Sequence, residues 1–400
     1  MNLSRLLSLI AFPILAAIAS QCGGETGAID QDRMQYFKST YDESRAEFRS
    51  LCKGLKGAVG SSLAVASTKE SDLTIDTCSV GARVPQKLII ITSGLHGIEG
   101  FTGSAVQRFW MKELLSSVDH ERTGYLFIHA INPFGFRLER RVTENNVDLN
   151  RNFDVTPALF SSHNDGYVKI NELLNPDGKL NIGSMGNRFF PVRAVYNIIK
   201  HSMRALRQAA LQGQYEFPKG IYFGGSKFEQ QKSLIEPLLV KESAPYSYVM
   251  VVDLHTGYGE RGKLHFFPNA IKDATIRKNI ETVYAGYQVD YGDTADFYTT
   301  TGDFSEYVGK LLTAKKYIPM VFEYGTLDSQ TTSGSIKSIH NMIVENQGYW
   351  NGYESEGDLN EVKHRFREHF NPSSQVWRTK VIAISAEVFP LVVDRFSKLQ

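Results

Sequence analysis

KLIIITSGLHGIEG (residues 87–100) and YSYVMVVDLHTG (246–257) decide how this chain folds. Each starts as an almost unbroken apolar run and ends in a polar turn that carries a histidine. Strands of that composition are buried on both faces, in the middle of a sheet covered by helices; regular apolar–polar alternation is expected only where one face meets water. Three further runs rich in β-branched and aromatic residues read as strands: SSLAVAS (61–67), GYLFIHAIN (124–132) and YIPMVFEY (317–324). Around them lie helical patterns. An amphipathic opening stretch over 31–55 is followed by 103–117, 192–212, 228–240, 271–284, 303–312, 337–347, 358–369 and 380–396. Alternating strands and helices predict an α/β protein with a mixed, mostly parallel central sheet flanked by helices. The polar stretch 154–190 reads as a surface insertion, and no repeat or linker divides the chain, so residues 30–400 are expected to form a single domain.

The 400 residues are 42% hydrophobic and 22% charged, with 44 basic side chains against 43 acidic ones. A net charge of +1 argues against a nucleic-acid binder, which gathers a basic excess on one face, and against an acidic disordered chain. Residues 1–19 combine Arg5 with an apolar run of 14 residues, Leu6 to Ala19, that ends in the small-x-small Ala17-Ile18-Ala19. A spanning helix needs roughly 20 residues, so this reads as a signal peptide that sends the chain to the periplasm or the exterior. No later stretch is expected to cross a bilayer. Cys22 raises a lipid anchor as an alternative, disfavoured by Gln21 where a small residue is expected. Cys52 and Cys78 either pair, closing a loop of about 26 residues, or remain two buried thiols.

In open α/β sheets, ligands gather beyond the carboxyl ends of the strands. Here those ends deliver His96 and Glu99, then His255, then Glu323, while ERRVTENNVDLNRNFD (139–154) concentrates Arg140, Arg141, Asn150 and Arg151. HxxE alone is commonplace in a chain with ten histidines. Its placement is not, because Gly94, Gly97 and Gly100 permit backbone angles that aim two side chains at one point. A catalytic zinc takes three protein ligands from His and Asp/Glu and keeps a fourth position open. His96, Glu99 and His255 supply that set, and Asp253 stands two residues before His255, placed to orient its imidazole. His129 and His265 alternate with apolar residues in strand-like runs and read as packed structural histidines.

HGIEG, NNVDLNRNF, DLHTG and FEYGT, in that order at strand ends, resemble the motifs of the zinc carboxypeptidases related to carboxypeptidase A. The resemblance spans roughly residues 87–330, and flanks such as GQYEFPKGIYFGG (213–225) look like a bacterial carboxypeptidase-like branch known only as a domain of unknown function. It implies a zinc-carboxypeptidase-like fold and one Zn²⁺ per chain on His96, Glu99 and His255. It implies Glu323 as general base and Arg141, nine residues before Asn150, as the group that polarises the scissile carbonyl. Arg140 is the competing choice for that role. Asn150 and Arg151 would grip a terminal carboxylate. The tyrosine that caps this carboxylate falls at Tyr298, with Tyr307 as the other candidate and Phe304 near the side-chain pocket. The activity implied is metal-activated hydrolysis of C-terminal peptide bonds. Two rivals stand beside it: a zinc amidohydrolase acting on acyl-amino acids or cell-wall peptides, and a binding protein that keeps the fold without catalysis.

Overall fold

The computed structural model describes residues 27–268, 271–291 and 300–400, without the side chains at 201, 203 and 204. The segment 1–19, Cys22 and Tyr298 lie outside the described residues. Seven strands, β1 (Ala58–Val65), β2 (Leu73–Val80), β3 (Lys87–Ser93), β4 (Thr123–His129), β5 (Tyr248–Thr256), β6 (Leu264–Phe267) and β7 (Lys316–Tyr324), form one sheet in the order β1-β2-β4-β3-β5-β7-β6. The centre, β4-β3-β5-β7, is parallel. β1 and β2 on one side and β6 on the other pair antiparallel. This is the mixed, helix-flanked α/β sheet that the sequence implies.

Every residue of β3 and β4 is buried, and alternate side chains enter two separate cores. Ile90 and Val251 pack on one face, Ile89, Ile91 and Val252 on the other. Each such side chain contributes about 1.5–3 kcal/mol on burial, which explains why these strands carry no polar alternation.

β6 falls on the strand-like run around His265, whereas β2 was not anticipated as a strand. LTIDTCSV in β2 carries polar residues that ordinarily argue against a central strand, yet they are satisfied internally. Asp76 accepts from Arg49 Nε at 2.9 Å, Thr74 Oγ1 at 3.0 Å and Ser62 Oγ at 2.5 Å. A Cys52–Cys78 disulfide ties the helix Tyr41–Gly54 to this strand, so the two thiols pair.

Every expected helical stretch contains helix, but 192–212 is two helices, Phe190–His201 and Met203–Leu211, broken at Ser202 with φ +71°. The stretch 154–190 also differs from its reading as a polar surface insertion. It includes the helix Asp165–Leu174, whose Tyr167, Ile170 and Leu174 are buried, and Leu180 is buried beyond it.

Candidate active site

The strand β3 ends at Ser93, and the chain reverses through Gly94 at φ +64°, where a Cβ would come within 2.7 Å of Ala130 Cβ. Gly97 and Gly100 serve a different purpose from the conformational freedom expected of them. A Cβ on Gly97 would lie 2.1 Å from the Gly135 backbone, and one on Gly100 would lie 2.6 Å from the Phe136 ring. They are glycines for space. Between them Gly97–Glu99 forms a single 3₁₀ turn that runs into the helix Gly100–Phe109. Residues three apart eclipse in a 3₁₀ turn, so His96 and Glu99 emerge on one side. The first N–H groups of such a turn lack internal acceptors. Here Gly97 and Ile98 donate to the carbonyls of Arg141 (3.0 Å) and Arg140 (2.9 Å), which fastens the arginine segment against the turn.

His255 arrives from the end of β5, where it pairs in register with Glu323 of β7. The three candidate ligands meet. His96 Nδ1 lies 2.9 Å from Glu99 Oε1, His255 Nδ1 lies 2.9 Å from Glu99 Oε2, and the two Nδ1 atoms are 3.2 Å apart. Among the described residues this is the single cluster of three such side chains able to hold a metal ion. Each imidazole is backed by its own carboxylate: Asp148 Oδ1 lies 3.0 Å from His96 Nε2, and Asp253 Oδ2 lies 2.7 Å from His255 Nε2. Asp253 is itself fixed by Thr92 Oγ1, its register partner on β3. His96 Nε2 also lies 2.7 Å from Arg141 Nη2, but Asp148 is the acceptor of the two neighbours, so a proton on Nε2 goes to it. Both Nδ1 lone pairs then point at the Glu99 carboxylate. Two lone pairs and an anion at this separation repel one another unless a proton or a cation lies between them. A divalent ion that takes two neutral imidazoles and a carboxylate fits this donor set, and buried carboxylates behind the histidines are the usual support of such a site.

The electrostatics follow the same geometry. Burial disfavours the charged imidazolium of His255, yet Asp253 and Glu99 hold its pKa well above the ordinary histidine value. Glu99 and Asp148 are fully enclosed but held below the usual carboxylate range, Glu99 by the two histidines and Asp148 by Arg141 and His96. Glu323 goes the other way. Burial and the nearby Glu99 charge push it up to about 8, against a lowering pull from His255. Its Oε1 accepts from the Tyr258 N–H at 2.9 Å, while the side chain still opens onto the cleft.

The adjacent arginines separate cleanly. Arg141 lines the cleft, donating to Asp148 Oδ2 (3.0 Å) and Glu99 Oε1 (3.1 Å). Arg140 points away: it is buried, bonded to Glu345 at 2.8 Å and stacked 3.4 Å from the Tyr349 ring centroid. Asn150 accepts from Phe304 N–H on its Oδ1, which turns its amide nitrogen away from that contact. Arg151 donates Nε and Nη2 to the Leu211 carbonyl and Nη1 to the Asn150 carbonyl. Of the five guanidinium N–H groups, one on each terminal nitrogen remains for the cleft that Arg151 lines.

Tyr307 is not placed to cap a ligand, since it is buried and its hydroxyl donates to Glu236 at 2.5 Å. Phe304 packs on Phe153 and does not line the cleft. His129 is fully buried, stacked on Phe48, with a pKa lowered to about 3 by burial and the nearby arginines. His265 accepts from Glu260 N–H at 3.0 Å and packs beside Phe267. Both are structural, as their strand-like settings suggest.

Two contributors escaped the sequence reading. Asp148 lies inside NNVDLNRNF, and the signal available was an acid two residues before the Asn-Arg pair. Tyr222 lines the cleft with φ +56°, rare for a bulky residue, and its ring centroid lies 5.5 Å from the Arg141 guanidinium and 5.8 Å from that of Arg151.

A family model described as "Protein of unknown function (DUF2817)" matches residues 37–384. The chain belongs to that family. No curated protein matches it. Among solved structures, it is similar to bovine thrombin-activatable fibrinolysis inhibitor at 11% identity and a TM-score of 0.43, over 88% of this chain and 99% of the other. Carboxypeptidase A from Helicoverpa armigera aligns at 13% identity and a TM-score of 0.40, over 92% and 81%. An aspartoacylase family protein from Mesorhizobium loti aligns at 16% identity and a TM-score of 0.37, over 76% and 69%.

Proposed function

We propose that this chain is a zinc-dependent hydrolase that removes the last residue of a substrate carrying a free terminal carboxylate. One observation carries the reading: two imidazole Nδ1 atoms converge on the Glu99 carboxylate, each ring backed by a buried carboxylate, with Glu323 and Arg141 in the same cleft. His96, Glu99 and His255 would hold a zinc ion, which would supply Lewis acidity and bring the pKa of water to about 7.

The chain's own residues do the rest. Glu323, anchored by the Tyr258 N–H, takes the proton of the attacking water and passes it to the leaving amine. Arg141, held charged by Asp148 and Glu99, stabilises negative charge on the carbonyl oxygen. The Asn150 amide and the free edge of Arg151 receive the terminal carboxylate. Segment 1–19, as a signal peptide, places this chemistry outside the cytoplasm; no described helix is long and apolar enough to cross a membrane.

The test is the zinc-replete protein on blocked dipeptides with free or amidated C-termini. Nearly all turnover is expected on the free acids. Equal cleavage of the amides removes the role given to Asn150 and Arg151, and absence of turnover on both favours the non-catalytic binding protein. An amidohydrolase for acyl-amino acids uses the same groups, and the apolar end of the cleft favours it.

A further inference from the structure

Away from the histidines, the cleft runs into a chamber walled by four helices. Asp165–Leu174 contributes Ile170 and Leu174, Phe190–His201 contributes Ala194 and Ile198, Met203–Leu211 contributes Leu206, and Thr332–Asn351 contributes Ile336. Among the described residues these helices bring one charged side chain to the cleft, Arg207, already bonded to Ser335 Oγ at 2.8 Å and the Gln330 carbonyl at 3.2 Å. A polar group pushed into this chamber would lose its water and find few partners, whereas a hydrocarbon would lose nothing.

The helix Phe190–His201 adds an independent observation. Its inner face carries Phe190, Ala194 and Ile198 into the chamber. On the opposite side Val192, Tyr196 and Ile199 are 37%, 60% and 59% exposed, and Phe189, just before the helix, is 49% exposed. Exposed Arg188, Arg193 and Lys200 flank them. A helix apolar on both sides, with basic residues along its outer rim, is what an amphiphile with an anionic head would approach.

We propose that the chamber holds an aliphatic acyl chain, so that the substrate is a fatty-acyl amino acid with a free carboxylate. The proposal rests on the hydrolase reading for the bond that is cut, and on the chamber alone for the chain. The carboxylate meets Asn150 and Arg151, the acyl carbonyl lies over the metal-ligand cluster, and the alkyl tail extends between the four helices. Hydrolysis adds water across the amide and releases a fatty acid and the amino acid, so no further reactant is required. The apolar wall spans four helices, more than the side chain of one terminal leucine or methionine fills.

The experiment measures release of leucine from N-acylleucines, acetyl through octanoyl to myristoyl, by the zinc-replete protein. It is paired with calorimetric binding of the same compounds to the Glu323→Gln variant. The expected result is a gain of about fourfold in kcat/KM and in affinity for each added methylene until the chamber is full. Cleavage and binding that are flat with chain length overturn the chamber assignment and leave the hydrolase reading standing. Chain-dependent binding with no cleavage upholds the chamber and overturns the hydrolase reading. Ala194→Phe and, separately, Ala210→Phe, a second wall position on Met203–Leu211, shorten the preferred chain if the assignment is right, with thermal melting reporting that each variant folds. An unchanged preference in a folded variant contradicts it. Offering myristoylleucine dissolved or in phosphatidylglycerol vesicles separates the two sources of the chain; faster turnover on vesicles assigns the outer face of Phe190–His201 to a bilayer.

Discussion

His255 and Glu323 are register partners across the parallel pairing of β5 and β7. The candidate ligand and the candidate base are therefore held on neighbouring backbones by the sheet itself, not by a loop, and each is the strand-end residue that faces the cleft. Replacing Glu323 by Gln keeps size and the Tyr258 N–H contact while removing the base. Bound zinc is expected to stay at the wild-type level and kcat/KM to fall by about 10²–10⁴. Metal analysis beside steady-state kinetics checks this, and undiminished turnover would remove Glu323 from the mechanism.

Asp148 and Asp253 stand behind the two histidines at 3.0 and 2.7 Å. Asp148→Asn and Asp253→Asn preserve shape and weaken the acceptor. Each is expected to lower zinc affinity by about 10–100-fold, read by competition with a chromophoric chelator. Wild-type affinity in both variants would mean that the histidines are oriented by something else.

Arg140 and Arg141, neighbours in sequence, both pair with buried carboxylates, but the loss of Arg141 alone should lower activity per folded molecule. Arg141→Ala removes a cleft guanidinium, so kcat/KM should drop by about 10²–10³, and it also takes an ionic partner from the buried Asp148 and Glu99, so stability should fall as well. Arg140→Ala leaves Glu345 buried without its partner and should cost about 3–5 kcal/mol of stability. Denaturant melts and kinetics on the two variants decide between these outcomes; a swap of phenotypes reverses the assignment.

Metal-free protein should lose stability as pH rises. His255 has a folded pKa raised by Asp253 and Glu99, so its contribution is present below about pH 6.5 and fades as pH climbs through the folded value. Glu323, at about 8 when folded, keeps a proton that the unfolded chain gives up near its ordinary value of 4.5. The folded state thus binds more protons, and stability again declines toward pH 8. Chelated protein should melt at a lower temperature at about pH 9 than at about pH 6, and zinc affinity should rise with pH because the ion displaces the shared proton. Calorimetric scans across that range test the sign; greater stability of the chelated form in alkali would refute it.

Much of this was legible where one physical requirement dominates. The unbroken apolarity of β3 and β5 follows from burial on both faces, and His96, Glu99, His255 and Glu323 are readable because strand ends are where such a sheet exposes chemistry. β2 was not legible, because Asp76 is satisfied by Arg49 and Ser62, Thr74 by Arg49 and Thr77 by Ser61, partners distant in sequence or on another strand. Asp148 and Asp253 differ for a similar reason. Asp253 sits two residues from its histidine on one strand, whereas Asp148 reaches His96 from 52 residues away. The helix Asp165–Leu174 was lost within a stretch whose polar residues dominate its reading, and the break at Ser202 carries no glycine or proline to mark it.

The account depends most on three side chains sharing one ion, and metal content measures that directly. Protein dialysed against zinc and then against buffer, analysed by mass spectrometry of the metal, should carry one zinc per chain. His96→Ala, Glu99→Ala and His255→Ala should each lose it while remaining folded. A wild-type chain without zinc, or a folded His255→Ala variant that keeps a full equivalent, would contradict the account.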